Sequence, residues 1–119
     1  MDSTLMKIIV ILLIFLGESL AIGAEMFAAR THSVESKPFL NVFLKMFLVI
    51  IVGGAFLIAG YMLGLGAFKS IWIVSVASIT SILIMEPVIA YLVFQQLPAR
   101  GAIIGFVLGM LGFLATLFL

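Results

Sequence analysis

The sequence predicts an all-α membrane protein of four transmembrane helices in a single domain, and three observations carry that reading. Hydrophobic residues make up 66% of the 119-residue chain and charged residues only 9%, whereas soluble domains carry about 25% charged residues. The apolar residues gather into four runs, Ile8 to Ala29, Met46 to Gly66, Ile71 to Phe94 and Ala102 to Leu119, each near the ~20 residues needed to cross the hydrocarbon core. The second and third links, "GAFKS" and "QQLPAR", are too short to be anything but tight hairpins.

Composition also excludes classes of function. Six Lys and Arg against five Asp and Glu give a net charge of +1, so no basic surface points to nucleic acid. The chain has no cysteine and one histidine, which removes disulfides and thiol chemistry and leaves no metal-ligand cluster. No hydrolase triad, phosphate-binding glycine loop or cofactor motif is visible, so an enzyme is not expected.

The first run continues to Ala29, longer than the apolar region of a signal peptide, and reads as a span. It contains "IFLGESLAIGAE", with Glu18 about eleven residues in, or ~15 Å deep at 1.5 Å per residue. A charge at that depth costs about 3 to more than 10 kcal/mol, and such residues are normally functional. Glu25 lies seven residues later on almost the same helix face, with Ala21 and Ala28 on it and Gly17 and Ala24 beside it. A small, acidic stripe of this kind is expected to face protein or a water-filled cavity. There the low dielectric disfavours a bare carboxylate, so protons and cations compete for the site, the simplest basis for proton-coupled antiport. The alternatives are that Glu18 is a protonated packing residue and that Glu25 is an interfacial anchor near Arg30.

The link "RTHSVESKPFLNVFLK" is polar in its first half and broken by Pro38, which suits a short interfacial turn. Lys45 is expected to snorkel. The second span carries Gly53, Gly60 and Gly64, small residues that suit close packing within the chain if the fourth span makes the contact between copies. In the third span Glu86 precedes Pro87, which removes the helical hydrogen bond to Leu83 and offers a hinge. Ser75, eleven residues before Glu86, falls on nearly the same face, with Ser78 and Ser81 nearby. These serines serve either a substrate path or helix packing. Tyr61, Trp72 and Tyr91 read as interfacial anchors.

The fourth span, "GAIIGFVLGMLGFLATLFL", sets Gly101, Gly105 and Gly109 at four-residue spacing and Gly112 seven after Gly105. The flat stripe is a candidate dimer face, the alternative being packing inside the monomer. Both termini share one side of the membrane in a four-span protein. Arg30, Lys37, Lys45 and Arg100 flank the opposite side, against Lys7 and Lys69, so the positive-inside rule weakly favours cytoplasmic first and third loops and leaves dual insertion open.

On these residues the chain resembles the drug/metabolite transporter superfamily, in particular half-size, four-helix members such as the small multidrug resistance proteins. "AIIGFVLGMLG" is similar to their last helix, "MEPVIAYLVFQQLPARGAIIG" to the glutamate-proline helix, short linker and glycine-rich helix of the ten-helix members, and "GGAFLIAGYMLGLGAFKSIW" to the same half-repeat. The resemblance covers residues 46–119 well and the first helix loosely. Gly23 and Arg30 follow Glu18 out of the family's register, and "SVASITS" stands where a paired-glycine bend would fall. The resemblance implies a half-size transporter repeat in a cell (cytoplasmic or inner) membrane, acting as a homodimer, antiparallel in one arrangement, or as a heterodimer with a similar small subunit.

The leading expectation is therefore a small secondary transporter for a cationic or small-metabolite substrate. Its substrate- and proton-binding residues are Glu18, Glu25, Glu86 and Ser75, its hinge is Pro87, and its dimer face is formed by Gly101, Gly105, Gly109 and Gly112. Membrane lipid is the surrounding partner, and no cofactor is expected. The alternatives are a lipid-linked sugar flippase subunit and a non-transporting membrane scaffold.

Overall fold

A computed structural model describes residues 3–119. It contains four helices, α1 (Ser3–Ser33), α2 (Phe39–Phe68), α3 (Ile71–Phe94) and α4 (Arg100–Phe118), all long and apolar enough to cross a membrane. The protein is a four-helix, multi-pass membrane protein. The third helix has the bounds read from the sequence, while α1 and α2 are longer, at 31 and 30 residues. At 1.5 Å per residue α1 is about 46 Å long, so its ends project past the ~30 Å hydrocarbon layer.

Much of the long first link is helical. Helix α1 runs on through Ser33, and α2 begins directly after Pro38, whose φ of −58° and missing N–H suit the residue before a first turn. Only residues 34–38 remain outside the two helices. The chain reverses there through Ser36, which takes a left-handed φ of 57°. Lys69 and Gln95 end α2 and α3 in the same conformation, their N–H groups donating to Leu65 and Tyr91.

Helices α1 and α2 pack antiparallel along a seam of glycines. A methyl group added at Gly17 would lie 2.9 Å from the Gly53 carbonyl oxygen and 2.8 Å from Leu57 Cγ. Likewise a methyl on Gly53 would sit 3.0 Å from the Gly17 carbonyl oxygen. Further along, Gly60 faces Ile14, and Gly64 faces both Val10 and Val74. Two backbones approach this closely only where both lack side chains, and in lipid such packing is a main source of helix association. The internal-packing reading of Gly53, Gly60 and Gly64 is therefore correct.

Val10, Ile14 and Val74 are fully buried, with Leu57, Tyr61 and Ala77 packed around them. Tyr61 thus belongs to the edge of the core, a departure from its reading as an interfacial anchor, whereas Trp72 is 74% exposed near the start of α3. Lys7 Nζ sits 5.6 Å from the Phe68 ring centroid and joins the start of α1 to the end of α2.

Helix α3 lies parallel to α1 in steady register, with Glu18 beside Ser78 and Arg30 beside Val93. Helix α4 contacts α3 alone among the described helices and has no buried residue. The result is a slab measuring 48 × 33 × 17 Å. Its radius of gyration, 16.1 Å, exceeds the about 13.5 Å expected of a compact chain this long.

Candidate functional site

The α1–α3 seam holds the intramembrane polar residues. Val74, Ser78 and Ser81 are the buried residues of α3, a three-and-four spacing that marks the face turned toward α1. Ser81 returns its hydroxyl to the Ala77 carbonyl at 2.9 Å, the usual way for a helical serine to satisfy itself. Ser78 instead donates to Glu18 Oε1 at 2.6 Å, across sixty residues of sequence. A short hydroxyl-to-carboxylate bond of this kind is charge-assisted when Glu18 is ionised.

The carboxylate is half-buried, so it is held by the protein yet reachable. Its other oxygen has the capacity to accept a proton or to face a cation. Ser19, next on α1, turns back to the Phe15 carbonyl at 2.7 Å and contributes no hydroxyl to Glu18. Ser75 is half-buried and lies one turn before Ser78. It is Ser78, named in the sequence only as a neighbouring hydroxyl, that reaches Glu18. The signal was the Val74, Ser78, Ser81 stripe, which becomes meaningful once α3 is set parallel to α1.

Glu25 is exposed, unlike the enclosed position expected from sharing a stripe with Glu18. It lines a shallow groove with Ala28, His32 and Phe39. Glu86 and Pro87 line a separate open cleft of about 350 Å³ between α3 and α4, with Met26, Tyr91, Gln96 and Phe106 among its walls. Helix α3 runs unbroken through Pro87. Two turns beyond Glu86, Arg30 Nη1 donates to the Val93 carbonyl at 2.8 Å, a cation on the exposed carbonyls at a helix C-terminus.

The predicted residues are therefore divided. Glu18 meets Ser78 on the α1–α3 seam, whereas Glu25 and Glu86 line two separate grooves nearer the C-terminal ends of α1 and α3. Among the described residues no three His, Asp or Glu side chains gather closely enough to hold a metal ion.

The glycines of α4 also divide. Gly109 faces Leu83 of α3, where an added methyl would lie 3.2 Å from Leu83 Cδ2, while Gly101, Gly105 and Gly112 have nothing within 4 Å of that position. Phe106 and Phe113, the half-buried residues of α4, mark with Gly109 the side of the helix that meets α3. Comparison with protein-family models, curated proteins and solved structures finds no match to this chain.

Proposed function

We propose that this protein is a small secondary transporter that acts as a dimer and exchanges protons for a cationic or small-metabolite substrate at Glu18. The observation that carries the reading is the Glu18–Ser78 hydrogen bond at the α1–α3 seam, which holds a half-buried carboxylate near the middle of a spanning helix. A carboxylate placed there is costly, and one held by a single hydroxyl keeps coordination capacity for a proton or a cation. Proton and substrate then exclude each other at one group, which is the minimum coupling that antiport requires.

The slab shape supports a second copy. A chain whose shortest dimension is 17 Å is thin for enclosing a path for a solute. Helix α4, with one neighbour in the chain and an open glycine face, is the element available for dimer contact. Two copies would set two Glu18 carboxylates around one central site, and the weak charge bias of the loops is compatible with an antiparallel pair. Pro87, in the unbroken α3, supplies the hinge for alternating exposure. The resemblance to half-size drug/metabolite transporters agrees with this arrangement and suggests a cytoplasmic or inner membrane.

The test is substrate-evoked current in proteoliposomes across pH, with guanidinium, quaternary ammonium ions and polyamines as probes and Glu18→Gln as the paired variant. Transport at Glu18 requires a pH-dependent current that the substitution abolishes while the dimer persists. A dimer that falls apart on the same substitution assigns Glu18 to helix packing, as in a scaffold.

A further inference from the structure

The first link folds back on the end of α1 and builds a second polar site, distinct from Glu18. Lys37 N–H donates to the Thr31 carbonyl at 3.1 Å, and His32 Nδ1 meets the Lys37 carbonyl at 2.8 Å. A carbonyl only accepts, so Nδ1 carries the proton. These two bonds fix Lys37 beside Thr31 at the rim of a groove of about 380 Å³, whose other polar walls are Asn41 and Lys45. Glu35, the acidic residue of the turn, does not line it.

Two further features of the groove suit an anion. Thr31 Oγ1 is buried and has no hydrogen-bond partner among the described residues, whereas Ser19, Thr80, Ser81 and Thr116 each donate to the carbonyl four residues earlier. A buried hydroxyl without a partner is costly, and it normally serves a ligand or water. The groove also borders the start of α2, whose first turn has no side-chain cap. Because the first helical bond comes from Val42 N–H to the Pro38 carbonyl, the amides of Phe39, Leu40 and Asn41 have no partner inside the helix, and their dipoles favour negative charge. Lysine, hydroxyl, amide side chain and helix N-terminus thus converge at one membrane interface.

The lower wall is apolar. Phe27 and Met46 line both this groove and the next one down the α1–α2 seam. That second groove passes Gly23, where nothing lies within 4 Å of an added methyl, and continues past Leu20 and Val49. An occupant that satisfies both parts has a phosphate at one end and a hydrocarbon chain at the other.

We infer that Thr31, Lys37, Asn41 and Lys45 bind the phosphate headgroup of an anionic membrane phospholipid, whose acyl chain lies along the α1–α2 groove beside Gly23. In the orientation that the weak loop-charge bias favours, this end of the protein meets the cytoplasmic leaflet, where anionic lipids are concentrated, and in an antiparallel pair one of the two copies does so. The site lies on the α1–α2 seam, whereas Glu18 meets Ser78 on the α1–α3 seam, and it does not rest on the transport reading.

The experiment is native mass spectrometry of the full chain in a neutral detergent, titrated with phosphatidylglycerol or phosphatidylcholine, with inorganic phosphate as competitor. One phosphatidylglycerol is expected to remain bound in preference to phosphatidylcholine. The pair Lys37→Ala and Lys45→Ala should weaken it about 30-fold, from ~1 kcal/mol per lysine near an anionic surface, while Lys7→Ala with Lys69→Ala leaves it unchanged. Thr31→Val weakens the same lipid, and Gly23→Leu weakens it by filling the groove. Equal retention of phosphatidylcholine, or equal loss in the two lysine pairs, overturns the site. Displacement by millimolar phosphate together with no effect of Gly23→Leu overturns the lipid and leaves only a phosphate site.

Discussion

Ser78 Oγ donates to Glu18 Oε1 at 2.6 Å, joining the middle of α1 to the first half of α3 by the one hydrogen bond between two side chains among the described residues. The contact has separable structural and chemical parts. Ser78→Ala removes the donor and leaves a half-buried carboxyl without it, which should cost about 1–3 kcal/mol. Glu18→Gln retains an oxygen acceptor and should cost less. Thermal unfolding of both single variants and the double variant in detergent measures the coupling, and a coupling near zero would remove the bond from the account.

The glycine seam predicts a contrast within one residue type. Gly17→Ala, Gly53→Ala and Gly60→Ala each press a methyl into backbone or side-chain atoms at 3.0 Å or less, and overpacking of this kind costs about 1–3 kcal/mol. Gly23→Ala and Gly54→Ala meet nothing within 4 Å and should be neutral or gain up to about 1 kcal/mol from helix propensity. Melting temperatures of the five variants should fall into those two groups.

Helix α4 should bear on association more than on the fold. Gly105→Leu and Gly112→Leu have open space around them in the chain, so the monomer should melt as the parent does. Cross-linking and light scattering should show the dimer weakened at least tenfold. A dimer unaffected by both would place the interface elsewhere.

Pro87→Ala restores the amide that bonds to Leu83 and stiffens α3. Because Pro87 lies nine residues beyond Ser78, the substitution should leave probe binding at Glu18 unchanged while slowing turnover several-fold. Equilibrium binding and proteoliposome flux on one preparation separate these effects.

The number of helices was legible in the sequence because each span is a continuous apolar run. The limits of α1 and α2 were not, since polar residues continue a helix beyond the membrane as readily as they form a loop, and only Pro38 marks where α2 starts. Gly53, Gly60 and Gly64 were readable as packing residues from their spacing, though inside the chain only on the condition that α4 makes the contact between copies. Gly109 was not separable from Gly101, Gly105 and Gly112, because which side of α4 meets α3 depends on how Phe106 and Phe113 seat. Glu18 stood out by depth in its span. Its partner did not, since three serines offered hydroxyls and only the parallel register of α1 and α3 selects Ser78 over Ser75. Thr31 gave no signal at all, because its isolation arises from the fold of residues 34–38.

If Glu18 serves proton and cation in turn, as we propose, a cation that binds there must displace its proton. The purified protein in weakly buffered detergent with a pH-sensitive dye, titrated with guanidinium, tetramethylammonium and spermidine, should release protons in proportion to probe bound. Glu18→Gln, still folded, should release none. Binding without proton release in the parent protein, or equal release from Glu18→Gln, would contradict the account.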